Sequence, residues 1–399
     1  MNKIKIVFTV VSSFVLASLA GSCGDFLETE PRTQISESEF YKTEDDMNKA
    51  LYAVMDEVQT RLMEVWAYSS LLSDESETGG GIGEGSYKTK WDHFSYTPST
   101  CFGAWGYGSW WNEWDFGLYN GVVAANQLID HMQGARVDKD YANKTLAEAR
   151  FYRALFYNYL WMGYEEIPLI TKTMTPDEMY NVHKGTRQEV YDFMLSDLAD
   201  DVINSLPERA ATQQGRVCRD AALVLRTKII LFQRDKSRYP QALADMKSII
   251  ESGHYSLLPN YKDLWWKSGE WGSESIYDVA FAGNNTGEGN PICRSVGGRN
   301  IVDPRSADQG GLCEGYGQNT MNSHVYNLFA DGDTRREGTV VLWDDEAKKV
   351  ESLAKDGKLD AGSKFQISNA QEAWEGMGHY KYTPVRDKKF VKQQGKKLA

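Results

Sequence analysis

Cysteine is scarce in this chain: five are spread over 399 residues. No C-x-x-C pair occurs among them, which argues against a zinc site. Positive charge is in deficit, with 44 Lys and Arg against 56 Asp and Glu and a formal charge of −12. There is no basic stripe with interleaved aromatics either. A nucleic-acid partner is therefore excluded, because phosphate binding needs a cationic face. Histidine is rare as well, six in all, and forms neither H-E-x-x-H nor a triad-like arrangement. His183 and His254 sit at helix boundaries, where capping or solvated roles are usual. Past the N-terminus no apolar run approaches the roughly 20 residues needed to cross a bilayer.

Two motifs fail for want of partners. Gly79-Gly80-Gly81-Ile82-Gly83-Glu84-Gly85 mimics a phosphate-binding loop, but it has no lysine, no evident preceding strand, and acids beside it. Asp331-Gly332-Asp333 hints at calcium, but the remaining loop ligands are missing. A helix-end salt bridge to Arg335 or Arg336 is the better reading. No metal and no cofactor is called for.

What is present is a globular composition: 41% hydrophobic, 12% aromatic and 25% charged residues. A chain of this kind and length fills one large core. The N-terminus has Lys3 and Lys5, an apolar run from Ile6 to Leu19, then small residues, as an export signal does. Leu19-Ala20-Gly21-Ser22-Cys23 resembles a bacterial lipobox with one residue of extra spacing. On that reading 1–22 is a lipoprotein signal, Cys23 is lipidated, and 23–43 is a tether that includes Pro31. The alternative is plain cleavage after Ala20. The other cysteines are Cys101, Cys218, Cys293 and Cys313. Cys293 with Cys313 is one pairing that export permits, free buried thiols being the commoner outcome.

From Glu44 the pattern turns helical, with Met47, Leu51, Val54, Met55, Val58 and Leu62 at helical spacing. A second helix is predicted from near Ser109, with Trp114, Leu118, Val122, Ala125, Leu128 and Ile129 on one stripe. Residues 146–170 are apolar on nearly every face, and Gly163 and Pro168 end that run. Arg150 and Arg153 inside it need carboxylate or carbonyl partners. Thr186-Arg187-Gln188-Glu189 reads as a capping box opening a helix that Pro207 closes. Helices over 218–232 and 240–252 follow, Ala221 and Ala222 allowing close approach. Ser275–Phe281 reads as a short strand, and 282–320 as long loops. The expected fold is all-α: tetratricopeptide-like helical hairpins, with a period of about 34 residues, in an α/α superhelical scaffold with long loops and a few short strands. It forms a single domain over 44–399.

Tryptophan is plentiful, twelve in all, and several lie in glycine-rich loops. Indole faces stack on the C–H faces of pyranoses, while Asp and Asn side chains hydrogen-bond vicinal hydroxyls. The ligand candidates are Asp74, Trp91, Trp105, Trp110, Trp266, Trp271 and Asn284. For any one tryptophan, a packing role in the core is an equal alternative. No residue is singled out as catalytic. A glycoside hydrolase needs two carboxylates roughly 5–10 Å apart, and no motif marks such a pair. A helical-repeat module that binds protein rather than sugar is a further alternative.

Several stretches together resemble the SusD/RagB family. They are Cys23–Glu28, WDFGLYNGVVAAN (114–126), EARFYRALFYNYLWMGYEEIPLI (148–170), TRQEVYDFMLSDLADDVINSLP (186–207), GRVCRDAALVLRTKIILF (215–232), YPQALADMKSIIESGHYSLLPNYKDLW (239–265), SESIYDVAF (273–281) and DGDTRRE (331–337). The resemblance implies an outer-membrane, cell-surface lipoprotein of the Bacteroidota that binds glycan without chemistry. It implies a SusC-like TonB-dependent transporter as partner, to which captured oligosaccharide or polysaccharide is passed. It also ranks Asp74, Trp105 and Trp110 first among the ligand candidates. Members of the family continue with an Ala- and Glu-rich helix that has no counterpart before HYKYTPVRDKKFVKQQGKKLA, so the C-terminal helices are expected to be missing.

Overall fold

A computed structural model describes residues 39–62, 69–79, 86–95, 97, 117–266, 269–281, 289–290, 292, 296–306, 311–312, 315–367 and 377–379. The signal, most of the tether, Cys23, Cys101, Trp105, Trp110, Trp111, Trp114, Asn284, Cys293 and Cys313 lie outside them. Cys218 is buried and free.

Besides a single helical turn at Pro176–Met179, capped by Thr175, the described helices are α1 (Glu44–Glu57), α2 (Ser86–Asp92), α3 (Leu118–Met132), α4 (Lys139–Tyr164), α5 (Arg187–Asp197), α6 (Asp200–Asn204), α7 (Arg219–Gln233), α8 (Tyr239–Glu251), α9 (Ser323–Leu328), α10 (Thr334–Thr339) and α11 (Trp343–Lys355). Several start where the sequence supplies a cap. Thr43 with Asp46 and Thr186 with Glu189 form capping boxes, and Asp138 accepts from two amides at the head of α4. Pro240 stands in the first turn of α8, and Gly253 follows its exit at φ 70°.

The centre is α4, which packs against α1, α3, α5, α6 and α7. Its Phe151, Tyr152, Phe156, Tyr157, Leu160 and Trp161 are all buried. Gly121 of α3 admits the Phe156 ring, since a Cβ there would lie 2.3 Å from it. The helix signals of the sequence locate this core: Met47, Leu51, Val54, Leu118, Val122, Val190 and Met194 all enter it, as do Ala221 and Ala222.

The charges inside α4 find their partners. Arg153 makes a bidentate pair with Asp197 at 2.8 and 2.7 Å, and donates to Asn126 Oδ1 at 2.6 Å and to the Thr171 carbonyl at 3.1 Å. Arg150 stands 3.8 Å from the same carboxylate. Glu148, fully buried, is held by Arg216 at 2.6 and 2.7 Å.

The structure departs from the sequence reading in three places. The helix expected over 186–207 breaks at Leu198, and α6 resumes at Asp200. The break costs little because Arg226 of α7 donates to the buried Leu198 carbonyl at 3.1 Å while pairing with Asp245 and Asp200. Ser275–Phe281 is not a strand. It lies along the helices through side chains: the Tyr277 ring meets Phe151 edge-on, and the Ala280 carbonyl accepts from Gln59 at 2.8 Å. Lastly, a three-residue strand, β1 (Ser76–Thr78), does precede the glycine run.

The remaining strands are β2 (Ile301–Val302), β3 (Asn319–Met321), β4 (Val340–Leu342), β5 (Gln366–Ile367) and β6 (Met377–His379). They pair antiparallel as β1–β3, β2–β5 and β4–β6. Ile301, Leu312, Val341 and Trp343 make a second small core beneath the last two sheets. The Asp331-Gly332-Asp333 turn carries ion pairs to arginines: Asp333 with Arg335 at 2.6 Å and Asp331 with Arg336 at 3.8 Å.

The chain enters this body at a fastened point. The Tyr41 ring stacks on His131 at 4.2 Å with an interplanar angle of 10°. The Arg136 amide donates to the Lys42 carbonyl at 3.3 Å, and the Tyr141 hydroxyl to the Glu44 carbonyl at 2.8 Å. Among the described residues no helix is long and apolar enough to cross a membrane.

Candidate functional site

The described residue that best joins exposed polar chemistry to loop geometry is Asp74, and its surroundings define a platform. Asp74 is exposed, just ahead of β1. Its carbonyl accepts from Asn322 Nδ2 at 3.1 Å, and Asn322 Oδ1 caps α9 by accepting from the His324 amide at 2.8 Å. Opposite strands place Ser76 against Met321 and Thr78 against Asn319. The Thr320 hydroxyl donates to the Glu77 carbonyl at 3.3 Å, and Asn319 donates to the Ser70 hydroxyl.

The other end of the ladder is closed by α2 and by a close passage of backbone. Asp92 accepts from the Thr78 amide at 3.1 Å, tying the end of α2 to β1. Gly79 passes so near the partner segment that a Cβ would sit 2.1 Å from the Gly317 carbonyl oxygen. Gly315 and Gly317 donate in turn to the Gly298 and Gly297 carbonyls, each at 2.7 Å. Only backbone without a side chain fits here.

Two aromatic residues on this framework face solvent. Phe94, two residues beyond Asp92, is 63% exposed, and Tyr316 is 41% exposed. The sequence reading names neither. Tyr316 carried a usable signal, since a ring between Gly315 and Gly317 has little local cover. Phe94, in Trp91-Asp92-His93-Phe94-Ser95, carried none, because its exposure follows from how α2 ends.

Of the candidates named from sequence, Trp91 is corrected in role. It is 2% exposed, its ring buried on the inner side of α2 rather than presented for stacking. Trp266 is half-buried after a tight turn over Tyr261–Trp265. Trp271 is half-buried and lines a small cleft with Arg209, Gln213, Gln214 and Asp278. Its carbonyl accepts from Arg209 at 3.4 Å. Of the described candidates, Asp74 is the exposed one on the β1–β3 ladder, its carbonyl bonded to Asn322. Trp105, Trp110 and Asn284 lie outside the described residues.

Chemically, the segments joined at this ladder carry two exposed rings and the exposed Asp74 carboxylate. That set suits an uncharged polyhydroxylated ligand, whose C–H faces take the rings and whose hydroxyls take the polar groups. Among the described residues no cluster of three or more His, Cys, Asp or Glu stands ready for a metal ion.

Known proteins resemble the chain as follows. A SusD-like family profile, described as "Starch-binding associating with outer membrane", matches residues 25–231. SusD-like protein P25 of Formosa agariphila is 24% identical over 293 residues, which are 72% of this chain and 53% of that protein. The chain thus spans about half the length of the curated relatives it matches. Surface glycan-binding protein A from Bacteroides thetaiotaomicron, solved in complex with laminarihexaose, superposes with a TM-score of 0.69 at 22% identity, over 86% of this chain and 71% of that one. A laminarin binding SusD-like protein superposes with a TM-score of 0.70 at 25% identity, over 86% and 73%.

Proposed function

The chain belongs to the SusD-like family, described as starch-binding and associated with the outer membrane, and from that premise we propose that it is a non-catalytic glycan-binding lipoprotein of the cell surface. It captures oligosaccharide on the platform around Asp74, Phe94 and Tyr316 and delivers it to a SusC-like TonB-dependent transporter. Cys23, acylated, ties it to the outer membrane. The observation that supports the reading is that Phe94, Tyr316 and Asp74 are all exposed on segments that hydrogen bonds and a close glycine passage fasten to the β1–β3 ladder. The solved relatives bound to laminarihexaose or named for laminarin make β-glucans the first ligands to try.

The test is retardation of the full chain in native gels containing laminarin, starch or other neutral polysaccharides, followed by calorimetry. Binding to at least one, with no new reducing ends released, is the expected result. Absence of retardation across a broad panel ends the glycan-binding reading, and release of reducing ends replaces it with a hydrolase. Loss of the protein from the membrane fraction in Cys23→Ala checks the anchor. Co-purification with a TonB-dependent transporter checks the partner.

A further inference from the structure

Phe94 occupies a backbone conformation that its side chain disfavours. Its φ is 50°, in the left-handed region, where a bulky residue is strained. The cause is the way α2 stops. The Phe94 amide donates to the Trp91 carbonyl at 3.0 Å and the Ser95 amide to the Lys90 carbonyl at 2.8 Å. Those paired bonds make a Schellman ending, and Phe94 fills the position that glycine usually takes. Asp92, bound to the Thr78 amide, and Trp91, enclosed beneath, hold the ending in place.

The ring gains little from the protein in return. At 63% exposure it does not pack as a core residue. Tyr41 and Trp271 also lie in the left-handed region, but each is at least half-buried and engaged: Tyr41 stacks on His131, and the Trp271 carbonyl is held by Arg209. Arg234 closes α7 with the same pair of bonds at φ 60°, but its charged tip is at home in water. Among the described residues, Phe94 alone combines a left-handed backbone with an apolar ring in solvent, and it does so at the end of the helix fastened to β1. Strain of this kind persists where the surroundings enforce it, and it gathers at binding sites.

We propose that Phe94 is the ring on which the ligand's sugar face stacks, projected by the Schellman ending of α2, with Trp91 as the buried prop. This rests on the glycan-binding reading above. It also divides two neighbouring aromatics by role, the larger one supporting and the smaller one touching ligand.

The test uses the full chain, a neutral glycan that the wild type retards, and three variants. Phe94→Gly fits the left-handed position without strain, so it raises Tm by about 1–2 °C while weakening binding about 10-fold or more. Phe94→Trp keeps the ring and the strain, so affinity stays within about 3-fold of wild type. Phe94→Leu keeps apolar bulk without a π face and weakens binding. Greater stability with poorer binding in the glycine variant is a signature that a packing role does not give. A glycine variant that binds as well as wild type overturns the proposal and leaves the glycan-binding reading standing. A glycine variant with a lowered Tm also overturns it, because the ring then serves packing. Wild-type protein that binds no glycan removes the broader reading, and this one with it.

Discussion

Arg153 in the helical body and Asp92 on the platform each fasten one element to another, and they do so by unequal means. The Arg153 guanidinium is buried among a bidentate carboxylate, a carboxamide and a carbonyl. Asp92 accepts one amide hydrogen. The same contrast runs through both regions. The body joins helices by apolar stripes and satisfied buried charges, whereas the platform joins short pieces by backbone bonds and glycine contacts. A structure built the first way unfolds as a unit, and one built the second way opens locally. Binding loops belong to the second kind because they must admit a ligand.

The largest expected effect is in the body. Arg153→Ala strands the Asp197 carboxylate, which Arg150 only approaches at 3.8 Å, and costs about 3–5 kcal/mol in urea unfolding. Gly121→Ala drives a methyl group against the Phe156 ring and costs about 1–3 kcal/mol by the same measurement. Thr186→Ala removes half of the capping box on α5 and costs about 1 kcal/mol. Gly79→Ala sharpens the contrast. Its Cβ collides with the Gly317 carbonyl, so glycan affinity falls while the urea midpoint barely moves. An equal fall in both says that platform and body melt together.

The smallest effect is in acid. Glu178 bonds Lys172 and the Thr175 cap, which hold its carboxyl down from 4.5 to about 2. Asp46 and Glu189 are lowered by their cap bonds to Thr43 and Thr186. A depressed folded pKa gives stability that is complete above the unfolded value and lost as pH falls through the folded one. Urea midpoints should therefore hold at pH 6 and decline from about pH 4.5 towards 2, with helix signal fraying at the capped ends.

The body was legible because its rules are local. A threonine three residues before an acid, a glycine after α8, and an arginine among apolar residues each state a requirement that neighbouring sequence or one distant carboxylate meets. The break at Leu198 was not legible, since it depends on Arg226 arriving from another helix. Ser275–Phe281 carries strand-favouring residues in Ile276, Tyr277, Val279 and Phe281, but a strand also needs a partner edge, and helices occupy that place. At the site, Asp74 stood out in an acidic glycine-rich loop. Trp91 is buried and Phe94 exposed at the end of α2, where exposure follows from how the helix stops, which residue type does not announce. Tryptophan size pointed to Trp91, and helix-end geometry points to Phe94.

The fastening around Tyr41 has a mechanical meaning for any protein held by its N-terminal end. A tug arriving at residue 39 meets the Tyr41–His131 stack, the Arg136–Lys42 bond and the Tyr141–Glu44 bond before it reaches the first turns of α1. Those contacts can slip and re-form without unwinding a helix. A pull at that end then moves the molecule as a whole, and the β1–β3 ladder is not drawn upon.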